Sequence, residues 1–368
     1  MALLLMEGFE TFEAHTNTAT PPRGIVGDGF GVSQVWTATE FAIIADDWGG
    51  KAVDLKADGL HVSIPARAEL WVGFWWYNDT FDTEDEFWNG YYEKIIGFFP
   101  ESAPDDPQVS LRVTNTGILD VQQGTNVQTT IATSTTPVVS TSTWHRIEFS
   151  AFISNTVGTV DVQVDGVSVI SATGLDTQFS GQSSVINSIG FNYRGLGTGG
   201  IFAVDSLYVI DDVVGGSEPA STFLDSWYVE TSYPVSDATP NNFTPVGAGS
   251  TNADRVNEKY TSNWGTTYNE SSTAGHIESY TMESLAVPSA GILAVGIKAG
   301  ARKNYIGKRN VRTSIDSSAS IANGTTRGLP GPDFIYVTPQ YEALNPNGSV
   351  AWTAATVDAA EYRFEIVT

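Results

Sequence analysis

Residues 78–86 read Asn-Asp-Thr-Phe-Asp-Thr-Glu-Asp-Glu and gather five carboxylates: Asp79, Asp82, Glu84, Asp85 and Glu86. Oxygen donors at this density are what Ca2+ takes, but the spacing and turn glycine of an EF-hand loop are missing. The expectation is a solvated acidic loop, with Ca2+ ligation as the alternative and no other cofactor. Retaining glycoside hydrolysis needs two carboxyls about 5–5.5 Å apart, which a strand supplies from alternate positions, as in Glu-x-Asp-x-x-Glu. The chain contains no such run. Glu84 and Glu86 alternate, but outside any strand pattern. Asp161 and Asp165 bracket a hairpin arm, where solvent exposure accounts for them, and Asp205 reads as a structural hydrogen-bonding residue. The four histidines, His15, His61, His145 and His276, are scattered. No His-Glu-x-x-His, Gly-x-Ser-x-Gly or phosphate-binding loop occurs. The expectation is a protein without catalytic residues.

A second concentration of charge has the opposite sign. Lys298, Arg302, Lys303, Lys308, Arg309 and Arg312 surround an apparent loop at Gly307 and make up six of the chain's 18 basic residues. Such a strip in an acidic protein could dock on the acidic half of a neighbour. Two strips facing each other would repel. Arg302, Lys303, Lys308, Arg309 and Arg312 are therefore candidate contact residues, together with Leu3, Leu4 and Leu5 of the apolar start.

The elements that must position these residues read as strands. Segments 144–153, 159–171, 184–193 and 200–211 are apolar and alternating. Val160, Val162 and Val164 share one face, Asp161 and Gln163 the other, Asp165-Gly166 supplies a turn, and Val167 and Val169 resume the pattern. Period-two alternation broken by Asp-Gly is the strongest short-range hairpin signal. Upstream, 55–64, 69–76, 91–99 and 109–113 read as strands, with weaker ones at 115–124 and 129–139. Seven of ten tryptophans lie at or before Trp144. Truncating a buried tryptophan costs about 3–5 kcal/mol, so most are expected in the core, the alternative being a sugar-stacking platform on a loop.

The 368 residues favour two domains. Charged residues are 16 % and hydrophobic ones 41 %, a composition of short strands and many turns. The net charge is −24, and residues 1–215, with 27 acidic and 8 basic side chains, hold −19 of it. Such a surface repels polyanions, which excludes nucleic acid as an expected partner. The absence of cysteine excludes disulfides and thiolate metal sites and fits folding in a reducing cytoplasm. The start, Met1 to Gly8, has no basic region and is apolar only to Met6, so neither a signal peptide nor a membrane contact is expected.

The strand Trp144-His-Arg-Ile-Glu-Phe149, the hairpin Val160-Asp-Val-Gln-Val-Asp-Gly166 and the strand Val204-Asp-Ser-Leu-Tyr-Val209 together resemble laminin-G-like, concanavalin-A-like lectin domains. Past Gly215 to Ser221, the succession Phe223-Leu-Asp-Ser-Trp-Tyr-Val229, Asn242-Phe-Thr-Pro245, Ala301-Arg-Lys303 and Ala351-Trp-Thr-Ala354 resembles a module of structural proteins of tailed bacteriophages. The resemblances imply an all-β chain: a concanavalin-A-like jelly-roll sandwich at 1–215, a linker at 216–221 and a second antiparallel β-sandwich at 222–368. They also imply a non-enzymatic virion protein of the tail, neck or capsid surface, made in the host cytoplasm. Its partners would be other virion proteins and further copies of itself, with a trimer favoured. The alternative is an adhesin that holds glycans of the host envelope, and a third reading is a polysaccharide depolymerase.

Overall fold

The computed structural model describes residues 3–8, 15–16, 30–33, 40–45, 51–55, 59–81, 92–100, 107–124, 129–191, 201–211, 223–225, 227–257, 266–286, 291–329, 331 and 335–368. The chain is all-β: a jelly-roll sandwich followed by a second antiparallel sandwich.

The first strands are β1 Leu3–Glu7, β2 His15–Thr16, β3 Phe30–Ser33, β4 Glu40–Ala45, β5 Lys51–Asp54 and β6 Gly59–Arg67. Next come β7 Glu69–Asn78, β8 Tyr92–Phe99, β9 Val109–Thr114, β10 Leu119–Gln123 and β11 Thr129–Thr133. The run closes with β12 Thr143–Phe152, β13 Gly158–Val164, β14 Val167–Leu175, β15 Ile186–Phe191 and β16 Phe202–Asp211. One sheet has the order β14-β13-β12-β7-β16-β5-β4-β2, with β1 also paired to β16; the other runs β11-β10-β9-β8-β15-β6-β3. Their inner faces share a single apolar cluster. Across the interface Phe98 stacks on Phe149 at 4.7 Å, and Phe74 meets Phe191 edge-on at 4.9 Å.

The alternation expected along 160–164 is present, with the three valines buried and Asp161 and Gln163 turned outward. Asp165 and Gly166 both have positive φ, 53° and 81°, the backbone of a two-residue hairpin turn that matches strand twist. Beyond the turn the expectation shifts by one residue. Gln163 pairs with Ser168 but Val162 with Ile170, so Val169 is the inserted residue and Ile170 is buried in its place, while Val167, paired with Val164 ahead of the shift, is 64 % exposed. One inserted residue moves a strand's side chains to the opposite face. The segments read at 184–193 and 200–211 lie in different sheets, as β15 and β16.

The second sandwich contains β17 Pro234–Asn241, β18 Thr244–Val246, β19 Tyr268–Glu270, β20 Ile277–Met282, β21 Val295–Ala301, β22 Asn310–Ser317 and β23 Ser320–Asn323. After them come β24 Arg327–Gly328, β25 Ile335–Glu342, β26 Leu344–Asn345, β27 Val350–Ala351, the short helix α1 Ala354–Asp358 and β28 Glu361–Ile366. The main sheet runs β17-β20-β28-β22-β23, with β24 on β22, and the β21–β25 pair covers it. Two small clusters lie between these layers, one around Ile297, Ile315, Trp352 and Tyr362, the other around Val311, Val337 and Ile366.

The proposed linker 216–221 lies outside the described residues. The segment that follows packs on the first sandwich: Trp227 belongs to the large cluster, and Phe223 and Leu224 lie against it. Strand β1 bridges the two sandwiches. Leu3 and Leu4 pack on the first core, and the Met6 carbonyl accepts a 3.1 Å hydrogen bond from the Tyr341 hydroxyl.

Candidate functional site

Strand periodicity sends every second side chain of β7 and β12 away from the core. On β7 the inward residues Leu70, Val72, Phe74 and Trp76 are completely buried; Trp71, Gly73, Trp75 and Tyr77 therefore line the outer face. Register places Trp144 opposite Tyr77, Arg146 opposite Trp75 and Glu148 opposite Gly73. The Tyr77 and Trp144 rings are 5.4 Å apart, and the Arg146 guanidinium lies 6.0 Å from the Trp75 ring centre. Among the described tryptophans Trp71, Trp76, Trp227 and Trp352 are buried, as the sequence leads one to expect. Trp75 and Trp144 are only partly covered and form this aromatic row instead.

The row ends where residues 223–225 and 227–229 lie over the sheet as a strap. Glu148 anchors it. Its Oε1 accepts from the Tyr208 hydroxyl at 2.6 Å, from the Leu224 amide at 2.8 Å and from the Asp225 amide at 3.2 Å. Burial drives the Glu148 carboxyl above its ordinary value, against the opposing pull of the Tyr208 and Leu224 hydrogen bonds. Tyr208 packs edge-on to Trp227 at 4.7 Å. Both rings fit because position 73 is glycine: a Cβ there would sit 2.1 Å from the Tyr208 ring and 2.9 Å from Trp227. The strap also receives the Trp75 indole N–H, at 3.3 Å from the Trp227 carbonyl.

At the other end of β12 three side chains approach the arrangement of a nucleophilic triad. His145 Nδ1 is 2.9 Å from Asp165 Oδ2, and His145 Nε2 is 3.2 Å from the Ser140 hydroxyl. The histidines are scattered along the sequence and Asp165 is expected there only as an exposed hairpin residue, so residue spacing alone does not show this contact. The hairpin ladder was the available signal, because pairing Ile147 with Val164 brings the turn residue Asp165 beside Arg146. The geometry favours bracing over catalysis. The backbone N–H of Ser140 donates to His145 Nε2 at 3.0 Å, so the lone pair a serine nucleophile would need is engaged by that residue's own amide. Asp165 Oδ1 takes the Arg146 amide at 2.8 Å. Burial raises the Asp165 carboxyl, and the hydrogen bonds from His145 and Arg146 outweigh it, for a net lowering. Together these bonds tie the hairpin turn and the loop before β12 to one strand end.

The acidic run lies outside the described residues except for Asp79. That residue closes the end of β7, with Oδ1 accepting the Ile201 amide at 2.8 Å. Among the described residues no group of three or more metal-ligating side chains comes together. Asp205 is buried and accepts the Ser206 amide at 2.6 Å, the structural role expected of it.

In the second sandwich Glu278 is buried and plays a part like that of Glu148. Its Oε1 accepts from the Asn252 side-chain amide at 2.6 Å and its Oε2 from the Phe243 backbone N–H at 2.8 Å. Burial raises its carboxyl. Asp237 receives the Asn252 and Ala253 amides, at 3.0 and 2.6 Å. Of the candidate contact residues, Arg312 pairs with Glu365 at 2.7 Å. Arg302, Lys303, Lys308 and Arg309 lie together in the connection between β21 and β22, where Arg302 and Lys308 are exposed. Leu3 and Leu4 are engaged within the chain, as described above, and the Leu5 side chain lies outside the described residues.

No protein-family profile matches the chain, and no curated protein matches it. Solved structures similar to part of it include an endo-β-1,4-glucuronan lyase from the fungus Trichoderma reesei. That structure is 14 % identical with a TM-score of 0.35, over 51 % of this chain and 92 % of that one. The alginate lyase Aly36B is 13 % identical with a TM-score of 0.35, over 58 % and 98 % of the two chains. The carbohydrate-binding module CBM66 from Bacillus subtilis is 11 % identical with a TM-score of 0.27, over 51 % and 95 %.

Proposed function

We propose that the chain is a structural component of a tailed-phage particle, at the tail, neck or capsid surface, acting through assembly and surface presentation. The observation that supports this reading best is how its chemically capable groups are used. Glu148, His145, Asp165 and Glu278 each hold backbone amides or neighbouring side chains in place, which makes a rigid frame and leaves no prepared nucleophile among them. The phage setting comes from the resemblance of residues 223–368. In this reading the protein is made in the host cytoplasm, sits among other virion proteins, and works as a homo-oligomer, a trimer by preference. Electron microscopy of particles carrying a label on this chain tests it. Density at one symmetric location is the expected result. A purified chain that stays monomeric and is absent from particles overturns it.

A second reading, an adhesin for host-envelope glycans, is favoured by the outer aromatic row of Trp75, Tyr77 and Trp144 with Arg146 beside it. Aromatic faces offer sugar rings an apolar surface, and a guanidinium offers a fork of donors to a carboxylate. Binding on a glycan array that is lost in Trp144→Ala supports this reading. An array blank with and without Ca2+ removes it.

A further inference from the structure

Residues 302–309 connect β21 to β22 as a braced projection. The Lys303 amide donates to the Gly331 carbonyl at 3.2 Å, and its ammonium donates to the Gly307 carbonyl at 2.6 Å. The Arg309 guanidinium lies 5.3 Å over the Tyr305 ring and donates to the Ser272 carbonyl at 3.0 Å. These bonds close the loop on itself and hold its apex outward. Tyr305 is 45 % exposed and Ile306 102 % exposed. A single exposed apolar side chain is ordinary on a protein surface. A fixed apex that presents isoleucine and tyrosine on a connection carrying Arg302, Lys303, Lys308 and Arg309 is a different object, because its ordering has already been accomplished within the chain.

The charge around the apex is just as segregated. From Ser284 to Ile315 the sequence has six cations and no acid, in a chain whose net charge is −24. The acceptors of Lys303 and Arg309 are carbonyls, which bring no negative charge. We propose that this apex docks on the acidic first sandwich of a second copy of the chain, burying Ile306 and Tyr305 and setting the surrounding cations against the acceptor's carboxylates. The proposal rests on the assembly reading above. Charge complementarity selects the occupant: residues 1–215 carry 27 acidic against 8 basic side chains. An anionic bilayer fits less well. Even a whole myristoyl chain gives only marginal membrane binding, and one isoleucine with one tyrosine buries less apolar surface than that. Since donor and acceptor are different surfaces, the contact is head-to-tail, and its closed form is a ring.

Sedimentation velocity of the purified full chain at about 50 mM and about 500 mM salt tests the proposal, with Ile306→Asp and Lys308→Glu beside the parent. The parent is expected to associate at low salt and to dissociate at high salt. Ile306→Asp should weaken association at least about tenfold, with an unchanged thermal melt because the side chain touches nothing in its own fold. Lys308→Glu should weaken it less and flatten the salt dependence. A parent that associates as strongly as both variants places the contact elsewhere, which overturns the docking proposal and leaves the assembly reading standing. A parent monomeric at both salts and absent from particles removes both. Co-flotation with vesicles of anionic phospholipid that Ile306→Asp abolishes reassigns the apex to a membrane and overturns the second-copy partner.

Discussion

The two sandwiches reach a fixed structure with different materials. In the first, one apolar cluster runs through both sheets, with Phe74, Trp76, Phe98 and Phe149 wholly buried. Its buried carboxylate, Glu148, stands outside that core on the covered outer face and holds a strap. In the second, the described residues give two separate clusters, one of seven buried residues and one of five. There Glu278 holds the Phe243 amide ahead of β18, Asp237 holds the Asn252 amide between β18 and β19, and Arg363 pairs with Asp316 and Glu361. The first sandwich rests on area removed from water; the second rests to a greater degree on the geometry of a few buried polar groups. Those two dependences respond to different substitutions.

The largest effect is expected in the first core. Phe149→Ala removes a ring stacked on Phe98 across the sheets and should cost about 3–5 kcal/mol, read from denaturant unfolding. In the second sandwich Glu278→Ala strands the Phe243 N–H and takes one acceptor from the Asn252 side-chain amide, which keeps Asn241 and the Phe243 carbonyl, and should cost about 1–3 kcal/mol. A conservative trim of the apolar contact, Ile315→Val, should cost only about 0.5–1.5 kcal/mol. If Ile315→Val proves more damaging than Glu278→Ala, the contrast between the two sandwiches collapses.

The same contrast explains how much of this was legible in the sequence. Strands β12 and β13 are readable because one face is apolar core and alternation records it directly, whereas β16 is buried along its whole length and is readable from its apolar content. The face change after Ser168 is not readable: a bulge at Val169 leaves no mark in composition, and Val167 looks as apolar exposed as it would buried. The strap was invisible for a related reason. Position 73 looks like any glycine until Tyr208 and Trp227 are placed over it, and Glu148 looks like an outward-facing charge until Leu224 and Asp225 reach it. Spacing rules exist for carboxylates that act as catalytic pairs or Ca2+ ligands, whereas those the structure describes act mainly on backbone amides. That role depends on loops distant in sequence and leaves no spacing rule.

Gly73→Ala tests the strap with a smaller perturbation. The added methyl cannot coexist with the Tyr208 ring where it lies, and overpacking of this kind costs about 1–3 kcal/mol. The strap is the element able to yield, so residues 223–229 should become susceptible to limited proteolysis while the core of the first sandwich stays protected. Uniform loss of protection across the sandwich would instead make the strap part of the core, and the division drawn between core and clamp would fail.

The smallest effect expected is a pH slope, and it compares the two clamps directly. Burial raises the carboxyls of Glu148 and Glu278. Just above the ordinary glutamate value the folded chain therefore keeps protons that the unfolded chain has released. The stability tied to those protons is complete below the unfolded value and is lost as pH rises through the folded one. Asp165, lowered on balance by hydrogen bonds from His145 and Arg146, and Asp254, lowered by those from Ser250 and Thr251, work in the opposite sense. Their contribution is present above the unfolded aspartate value and is lost as pH falls through the folded one. Unfolding midpoints measured from about pH 4 to about pH 7 should therefore decline gently on the neutral side. Glu148→Gln and Glu278→Gln should each remove part of that decline and leave the acid limb in place, since a neutral amide keeps an acceptor oxygen but binds no proton. If Glu148→Gln leaves the decline whole and Glu278→Gln abolishes it, only the second clamp is coupled to global unfolding. The strap then opens locally, as a contact on the surface of a core that stands without it.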